Sequence, residues 1–200
     1  MILRIGIVAV LLLFAGEASA AGFGPGESML WLNGGGVLGT SEYSGARING
    51  PHLSIGYEQM DPEKPISVGF NFGYLTVKDE GVAHPDTMTG RDINSAPLYL
   101  GGRGWLGKGT FQGYGGLALG VYITTTKTHF ATKPTATVVQ TGFGMGVPLG
   151  LTISLSKTFA LNFNYTLNWL WSDNAIQDNI IHSLNGGIGI RINEDQGSSD

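Results

Sequence analysis

Large apolar and small or polar residues alternate along FALNFNYTLNWLW, residues 159–171. Its odd positions carry large apolar or aromatic side chains, and its even positions carry mostly alanine, asparagine and threonine. Successive side chains of a β-strand point to opposite faces, so a period of two predicts a strand with one apolar and one polar face.

The same alternation recurs along the chain and predicts eight strands. They cover residues 29–38, 52–60, 66–74, 95–106, 111–123, 139–155, 159–171 and 180–192. Each is near or above the roughly 9 to 11 residues that a tilted strand needs to cross a bilayer.

The connections between these strands alternate in length. Short turns are predicted at 61–65, 107–109 and 156–158, and longer polar loops at 39–51, 78–94, 124–137 and 172–179. This order predicts an all-β fold, an eight-stranded antiparallel up-and-down transmembrane β-barrel with short periplasmic turns and longer extracellular loops.

The size of the side chains decides which face points inward. A soluble barrel of the lipocalin or avidin type would bury the large set, and an eight-stranded interior holds little more than its own packed side chains. We therefore expect the large groups to face lipid and the small ones a narrow polar lumen. Phe159 and Trp169, with Trp171, then form aromatic girdles, because ten residues tilted by about 40° span roughly 25 Å of membrane.

The chain begins with the pattern of a secretory signal peptide. Arg4 precedes an apolar run over 5–14, and Ala18-Ser19-Ala20 offers a cleavage site. That run is too short for a membrane helix, so we expect cleavage near Ala20, with a retained anchor as the alternative. The expected division is a signal peptide over 1–20, a barrel over 21–193 and a polar tail over 194–200.

Composition excludes several partners. The formal net charge is −4, which argues against nucleic acid, and the absence of cysteine excludes disulfides, thiolate metal sites and a lipid-modified cysteine. Glycine contributes 33 of 200 residues without a collagen period, which indicates that small residues are needed at many separate positions.

Charge within the predicted strands is confined essentially to Glu58, Arg103 and Arg191. All three are predicted to point into the lumen near the periplasmic ends of their strands, where we expect them to form one charge cluster. That cluster could be a gate or proton path, or a packed ionic plug that pairs buried charges.

His52 and Ser54 share one strand face and could form a histidine-activated serine, with Glu58 as the orienting group. The pair resembles the lipid A deacylase motif only in these two residues. Glu58 lies about 13 Å from Ser54 along the strand, so we expect no enzymatic activity.

Pro97 and Pro148 interrupt predicted strands of a sheet that has no free edge. Each removes a ladder hydrogen bond and should mark a bulge or local opening in the wall. Such an opening could be a lateral route for lipid or small apolar ligands, although an ordinary bulge also accounts for each proline.

Two predicted loops carry candidate ligands. Residues 79–86 (DEGVAHPD) offer Asp79, Glu80, His84 and Asp86 to a divalent ion, but solvated loops commonly have this composition and we expect no metal and no cofactor. Lys127, His129 and Lys133 could contact lipopolysaccharide phosphates.

Taken together, residues 28–193 resemble the small eight-stranded outer-membrane proteins of the OmpA, OmpX and OmpW-like group. The closing segment HSLNGGIGIRI, residues 182–192, is similar to the last strand of such proteins. The resemblance implies a porin-like barrel integral to a Gram-negative outer membrane, in contact with outer-membrane lipid and lipopolysaccharide, and we expect a monomer.

Three functions are compatible with this sequence. The first is a structural or adhesion-like role carried by extracellular loops that bind an unknown surface ligand. The second is binding or transport of small hydrophobic molecules through a lateral opening, and the third is modification of lipid A.

Overall fold

Eight antiparallel strands close into a barrel in the computed structural model, which describes residues 22–40, 47–79, 88–171 and 179–192. Each strand pairs with its neighbours in sequence, and the last pairs with the first. The predicted fold class is therefore confirmed. The strands are β1 (Ser28–Thr40), β2 (Arg47–Met60), β3 (Ile66–Asp79), β4 (Met88–Leu106), β5 (Phe111–Phe130), β6 (Ala136–Ser154), β7 (Phe159–Trp171) and β8 (Asn179–Ile192).

The faces of β7 agree with its alternation. Asn162 and Asn164 are buried inside the barrel, whereas Phe163 and Trp171 are 52% and 48% exposed on its outer surface. The other strands repeat this arrangement, so a continuous belt of leucine, isoleucine, valine and aromatic side chains surrounds the barrel. An exposed apolar surface of this extent requires an apolar solvent.

The barrel has two different ends. At the turn end, β1 begins, β8 finishes, and short turns at 61–65, 107–110 and 155–158 join consecutive strands. Gly107 and Gly109 have φ values of 91° and 83°, a left-handed conformation that favours glycine and allows the tight reversal between β4 and β5. The opposite end is the loop end.

Three neighbouring strands extend further at the loop end than the sequence pattern predicts. β4, β5 and β6 contain 19, 20 and 19 residues, while the other strands contain 13 or 14. Most of the predicted loop at 124–137 is strand, as is 88–94, and only residues 131–135 connect β5 to β6. The prediction of a long loop here is wrong because apolar alternation ends with the apolar belt, whereas backbone pairing continues beyond it.

The interior of the barrel contains more apolar side chains than the sequence analysis predicted for a polar lumen. Two clusters of buried side chains close it, one near each end. The lower apolar layer, at the turn end, consists of Phe23, Met29, Trp31, Met60, Trp105, Tyr114 and Ala160. The upper apolar layer, toward the loop end, consists of Val37, Leu75, Val77, Tyr122, Leu170 and Ile181.

Glycine makes room for these inward aromatic rings. A Cβ atom on Gly144 would overlap the Tyr122 ring, and one on Gly150 would overlap the Tyr114 ring. Each tyrosine ring lies across the neighbouring strand, and the glycine on that strand leaves the space that the ring occupies. This pairing explains why an interior of this width holds tryptophan and tyrosine.

The predicted signal peptide over 1–20 and the polar tail over 194–200 lie outside the described residues and stay predictions. Within the described part of the chain, no helix is long and apolar enough to cross a membrane.

Candidate functional site

Glu58 is the centre of a buried polar network at the turn end. Its Oε2 atom lies 2.8 Å from Arg103 Nη1 and accepts a hydrogen bond of 3.0 Å from Trp31 Nε1, while the Ser67 hydroxyl donates to Oε1. The Glu58 and Arg103 side chains are 6% and 18% exposed. Four polar groups from four strands thereby satisfy one another in the lumen.

Arg191 does not join this network. Its Nη2 atom donates a 2.6 Å hydrogen bond to Ser154 Oγ, and its Nε atom lies 3.9 Å from Glu27 Oε2. The predicted single charge cluster is therefore two separate pairs. Met29 of β1 accounts for the separation, because it lies opposite Glu58 on one side and Arg191 on the other. Glu27 was not predicted, since it precedes the alternating part of the chain.

Aromatic side chains pack around the Glu58–Arg103 pair. The Arg103 guanidinium carbon lies 4.6 Å from the centre of the Tyr114 ring, within the range of a cation–π contact, and Trp105 Nε1 donates to Ser67 Oγ at 2.7 Å. This arrangement has the features of a packed ionic plug.

A small chamber with both polar and apolar walls lies beside Arg103 and reaches the upper apolar layer. It has a volume of about 80 Å³, and its walls include His52, Tyr99, Asn164 and Asn185. A chamber of this size holds roughly five to eight water molecules. His52 Nδ1 and Asn185 Oδ1 are 2.8 Å apart, and Asn185 Nδ2 donates to Asn164 Oδ1 at 3.1 Å. The chamber is suited to ordered water rather than to a large ligand.

The candidate catalytic residues do not form a triad. His52 is hydrogen-bonded to Asn185, Ser54 Oγ accepts a 3.4 Å hydrogen bond from Asn71, and Glu58 is engaged with Arg103. Both His52 and Ser54 face the lumen, as predicted, but each has a different partner. The geometry provides neither a histidine–serine hydrogen bond nor a carboxylate that orients the histidine.

Pro97 and Pro148 interrupt the hydrogen-bond ladders without forming bulges. The β3–β4 ladder lacks the pairs that would include Pro97 and Ala96, and the β5–β6 ladder lacks those that would include Val147 and Pro148. Pairing resumes in the same register on both sides of each gap. The sequence predicted a bulge or a local opening at each proline. The bulge is absent, because a missing N–H removes a bond but does not insert a residue, and each ladder has a local gap instead. Both prolines are buried and line the chamber beside Arg103.

The three predicted girdle residues lie on the outer surface of β7. Phe159 is at the turn end, and Trp169 and Trp171 are at the loop end. The alternating segment separates Phe159 from the two tryptophans along the strand, and their role as aromatic girdles stays a prediction.

Charged side chains lie beyond the apolar belt at both ends of the barrel. At the loop end, several lie on or beside the outer extension, defined as the parts of β4, β5 and β6 beyond the apolar belt together with the 131–135 connection. Lys78 lies opposite Asp92, which lies opposite Lys127 in the adjacent strand. His129 Nε2 is 2.9 Å from Asp92 Oδ2. The hydrogen bond with His129 holds the pKa of Asp92 below its usual value, and the nearby Lys78 and Lys127 act in the same direction.

The hairpin of β5 and β6 carries charge of one sign. Residues 124–140 include Lys127, His129 and Lys133 but no aspartate or glutamate. Within the described residues, the outer part of β6, residues 136–142, pairs with β5, whereas the β6–β7 ladder begins at Phe143. The hairpin therefore presents a basic surface and a strand edge together.

The candidate metal ligands Glu80, His84 and Asp86 lie outside the described residues, and Asp79 ends β3. In the ranges that the structure covers, no three histidine, aspartate or glutamate side chains are grouped to hold a metal ion.

Comparison with known proteins gives structural relatives only. No protein-family model matches the chain, and no curated protein matches it in sequence. Neisserial surface protein A (NspA) is 13% identical, with a TM-score of 0.59 and coverage of 86% of this chain and 99% of NspA. Ail, the attachment invasion locus protein of Yersinia pestis, solved with the heparin analogue sucrose octasulfate, is 14% identical, with a TM-score of 0.56 and coverage of 84% and 99%.

The outer membrane protein OprG of Pseudomonas aeruginosa is 15% identical, with a TM-score of 0.53 and coverage of 86% of this chain and 99% of OprG. At this level of identity the likeness establishes the fold. The chain has the fold of the small eight-stranded outer-membrane barrels, with its short turns at the end that faces the periplasm in such proteins.

Proposed function

We propose that this protein is a non-enzymatic, integral outer-membrane barrel that acts at the cell surface through its outer extension. The observation that carries the proposal is the asymmetry of the barrel. Three adjacent strands continue beyond the apolar belt and bear a basic hairpin, while the lumen is filled at both ends. A barrel built in this way offers a surface for binding rather than a channel.

The chemical class of the ligand is inferred from the positive charge of the β5–β6 hairpin. Lys127, His129 and Lys133 lie on a hairpin that has no carboxylate of its own, and Asp92 of the adjacent strand neutralises part of their charge. The remaining positive charge of the hairpin attracts a polyanion. The structure of Ail with a heparin analogue supports a sulfated glycan as the probe for this barrel. An adhesion-like role in binding anionic cell-surface glycans is the specific form of the proposal.

Lipopolysaccharide is the second proposed partner. On the outer surface, the row of Thr76, Asn94 and Thr125 follows the apolar belt, and the row of Lys78, Asp92 and Lys127 comes next. The two lysines, one row beyond these polar residues, are placed to contact lipid phosphates at the headgroup level.

The proposal is tested by shortening the hairpin without changing the barrel register. Thr126 and Val138 are directly paired, so residues 127–137 can be replaced by an Asn-Gly turn that joins the two strands. Cells and purified barrel carrying this deletion should lose binding to immobilised heparin. A second variant, Lys127→Gln with Lys133→Gln, keeps the hairpin and should lose most binding at physiological salt.

Lys108→Gln with Lys157→Gln is the matched control, because it removes two lysines from the turn end. Unchanged heparin binding after hairpin removal, with normal barrel migration on gels, would reject the proposed role.

A second candidate function is supported by the ladder gap at Pro97. The wall lacks cross-strand pairs there, and the proline lines a chamber whose walls include Val37, Leu75 and Leu170, so the gap offers an apolar molecule a lateral route between β3 and β4. Pro97→Val restores an N–H group and should close the gap. Cells with this variant should then take up less of an apolar fluorescent probe than wild type, whereas equal uptake would reject lateral transport.

A further inference from the structure

The segment before β1, residues 22–27, folds back under the turn end of the barrel. Phe23 enters the lower apolar layer, where it is 2% exposed and its ring meets Trp105 edge to face at a centroid distance of 5.2 Å. The chain then reverses through Pro25 and Gly26, whose φ of 76° favours glycine, before β1 begins. An aromatic side chain from outside the sheet therefore completes the closure of this end.

Gln112 binds the backbone of this segment. Its Oε1 atom accepts a 2.5 Å hydrogen bond from the Phe23 N–H, and its Nε2 atom donates to the Phe23 carbonyl oxygen at 3.0 Å. The Gln112 side chain thus satisfies both backbone polar groups of Phe23, a buried residue that lies outside the sheet. Gln112 is itself buried, so either group would lose its partner if the segment remained in place without it.

Glu27 fixes the other side of the turn. Its carboxylate accepts a 2.8 Å hydrogen bond from the Gly24 N–H and lies 3.9 Å from Arg191 Nε, and its carbonyl oxygen accepts from the Met60 N–H. The buried Arg191 Nε atom has no hydrogen-bond partner. Glu27 therefore links the segment to the second of the two charge pairs in the lumen.

Packing leaves no room for another side chain beside the contact between Gln112 and the backbone of Phe23. A Cβ atom on Gly22 would lie 2.5 Å from the Gly109 carbonyl oxygen. Above the layer, a second cavity of about 50 Å³ is lined by Trp31, Glu58 and Arg103. Phe23 packs in the same apolar layer as Trp31, which lines this cavity.

We propose that residues 22–27 are a detachable cork, held in an intramolecular binding site formed by Trp105, Gln112 and Arg191. These few contacts lie outside the barrel ladder, so the segment can leave its site while all eight strand pairings remain intact. Its departure admits water and small solutes to the cavity beside Glu58 and Arg103. The cork is thus the closing element of the periplasmic end.

A cysteine reporter tests this directly because the chain has no cysteine. Ser67→Cys places a thiol above the cork, between Glu58 and Trp105. In the full-length protein purified in detergent, this thiol should react slowly with a small charged methanethiosulfonate reagent. Phe23→Ala or Gln112→Met should each accelerate the reaction at least about tenfold, because the reaction rate follows the population of the open form.

Thr152→Val is the matched control. Thr152 is buried directly opposite Gln112 in the adjacent strand and has no hydrogen-bond partner for its hydroxyl group, so its loss should leave the rate unchanged. The barrel of each variant is verified by its migration on gels before and after boiling. Equal rates in the reporter protein and both cork variants would overturn the proposal, as would an equal acceleration by Thr152→Val, which would indicate general loosening of the layer.

Discussion

At the scale of single residues, packing of the barrel interior depends on pairs of residues, in which an aromatic ring on one strand lies against a glycine on the next. Tyr122 occupies the volume that a side chain on Gly144 would need, and the Trp31 ring lies where a side chain on Gly189 would be. Close packing permits no overlap of this kind, so the strand with the small residue and the strand with the ring must remain in register. The high glycine content therefore has a specific structural cause at these positions.

Gly144→Ala should destabilise the barrel by about 1–3 kcal/mol, because the new methyl group overlaps the Tyr122 ring. Urea unfolding in lipid vesicles measures the change. Gly186→Ala is the control, since the nearest atom to its added Cβ is 3.9 Å away, and it should change stability by less than about 0.5 kcal/mol. Equal effects of the two substitutions would show that the overlap is not the cause.

Glu58→Gln should cost about 2–4 kcal/mol, because it leaves the largely buried Arg103 without its counter-charge. Adding Arg103→Met should recover part of this loss, so that the two substitutions are not additive. The measurement is a double-mutant cycle by urea unfolding. Strict additivity would mean that the two groups do not interact in the folded barrel.

At the scale of the strand, the three longest strands each have two parts with different roles. The parts of β4 to β6 inside the apolar belt form the wall, and the outer extension continues the same ladders with mostly polar side chains. Threonine is common there and favours strands, which explains how pairing continues with few apolar side chains. The extension should be less stable than the wall because little apolar surface is buried in it.

The Asp92–His129 contact should contribute little to stability and should depend on pH. Since the pKa of Asp92 is lowered in the folded protein, its contribution is present above the unfolded value of about 3.9 and is lost as pH falls through the lower folded value. The pair is well exposed, so Asp92→Asn should cost less than about 1 kcal/mol at pH 7 and nothing at pH 2. Urea unfolding at both pH values measures this. A loss that persists at pH 2 would indicate a cause other than charge.

At the scale of the whole molecule, the barrel is closed in three ways. Ladder hydrogen bonds close the wall, and the two apolar layers close the lower and upper parts of the lumen. Chambers of about 80 and 50 Å³ lie in the described part of the interior. A structure filled in this way is expected to unfold as one unit and to migrate as a compact species on gels until it is boiled.

Orientation in the membrane can be measured with single cysteines. Ala131→Cys lies in the loop-end connection of β5 and β6, and Glu63→Cys lies in a turn at the opposite end, both at exposed positions. On intact cells, a membrane-impermeant maleimide should label the first and not the second. After the outer membrane is permeabilised, both should react. Labelling of position 63 alone on intact cells would reverse the proposed orientation.

The predictability of the site differs between its parts. The inward direction of Glu58 and Arg103 could be predicted from strand period alone, because the face of a side chain depends only on its position in the alternation. Their separation from Arg191 could not, since it depends on which side chain of β1 lies between β2 and β8. Gln112 was not predicted as a functional residue, because its partner, Phe23, lies outside the alternating pattern.

The sequence by itself determined the strand number, the antiparallel order and the outward apolar face, because each follows from local period and from the spacing of turns. Only the tertiary structure decided the outer extension, the in-register gaps at Pro97 and Pro148, and the cork formed by Phe23. These features depend on ladder pairing and on the fit of side chains from strands that are distant in sequence. A local pattern of apolar and polar residues contains no information about such contacts.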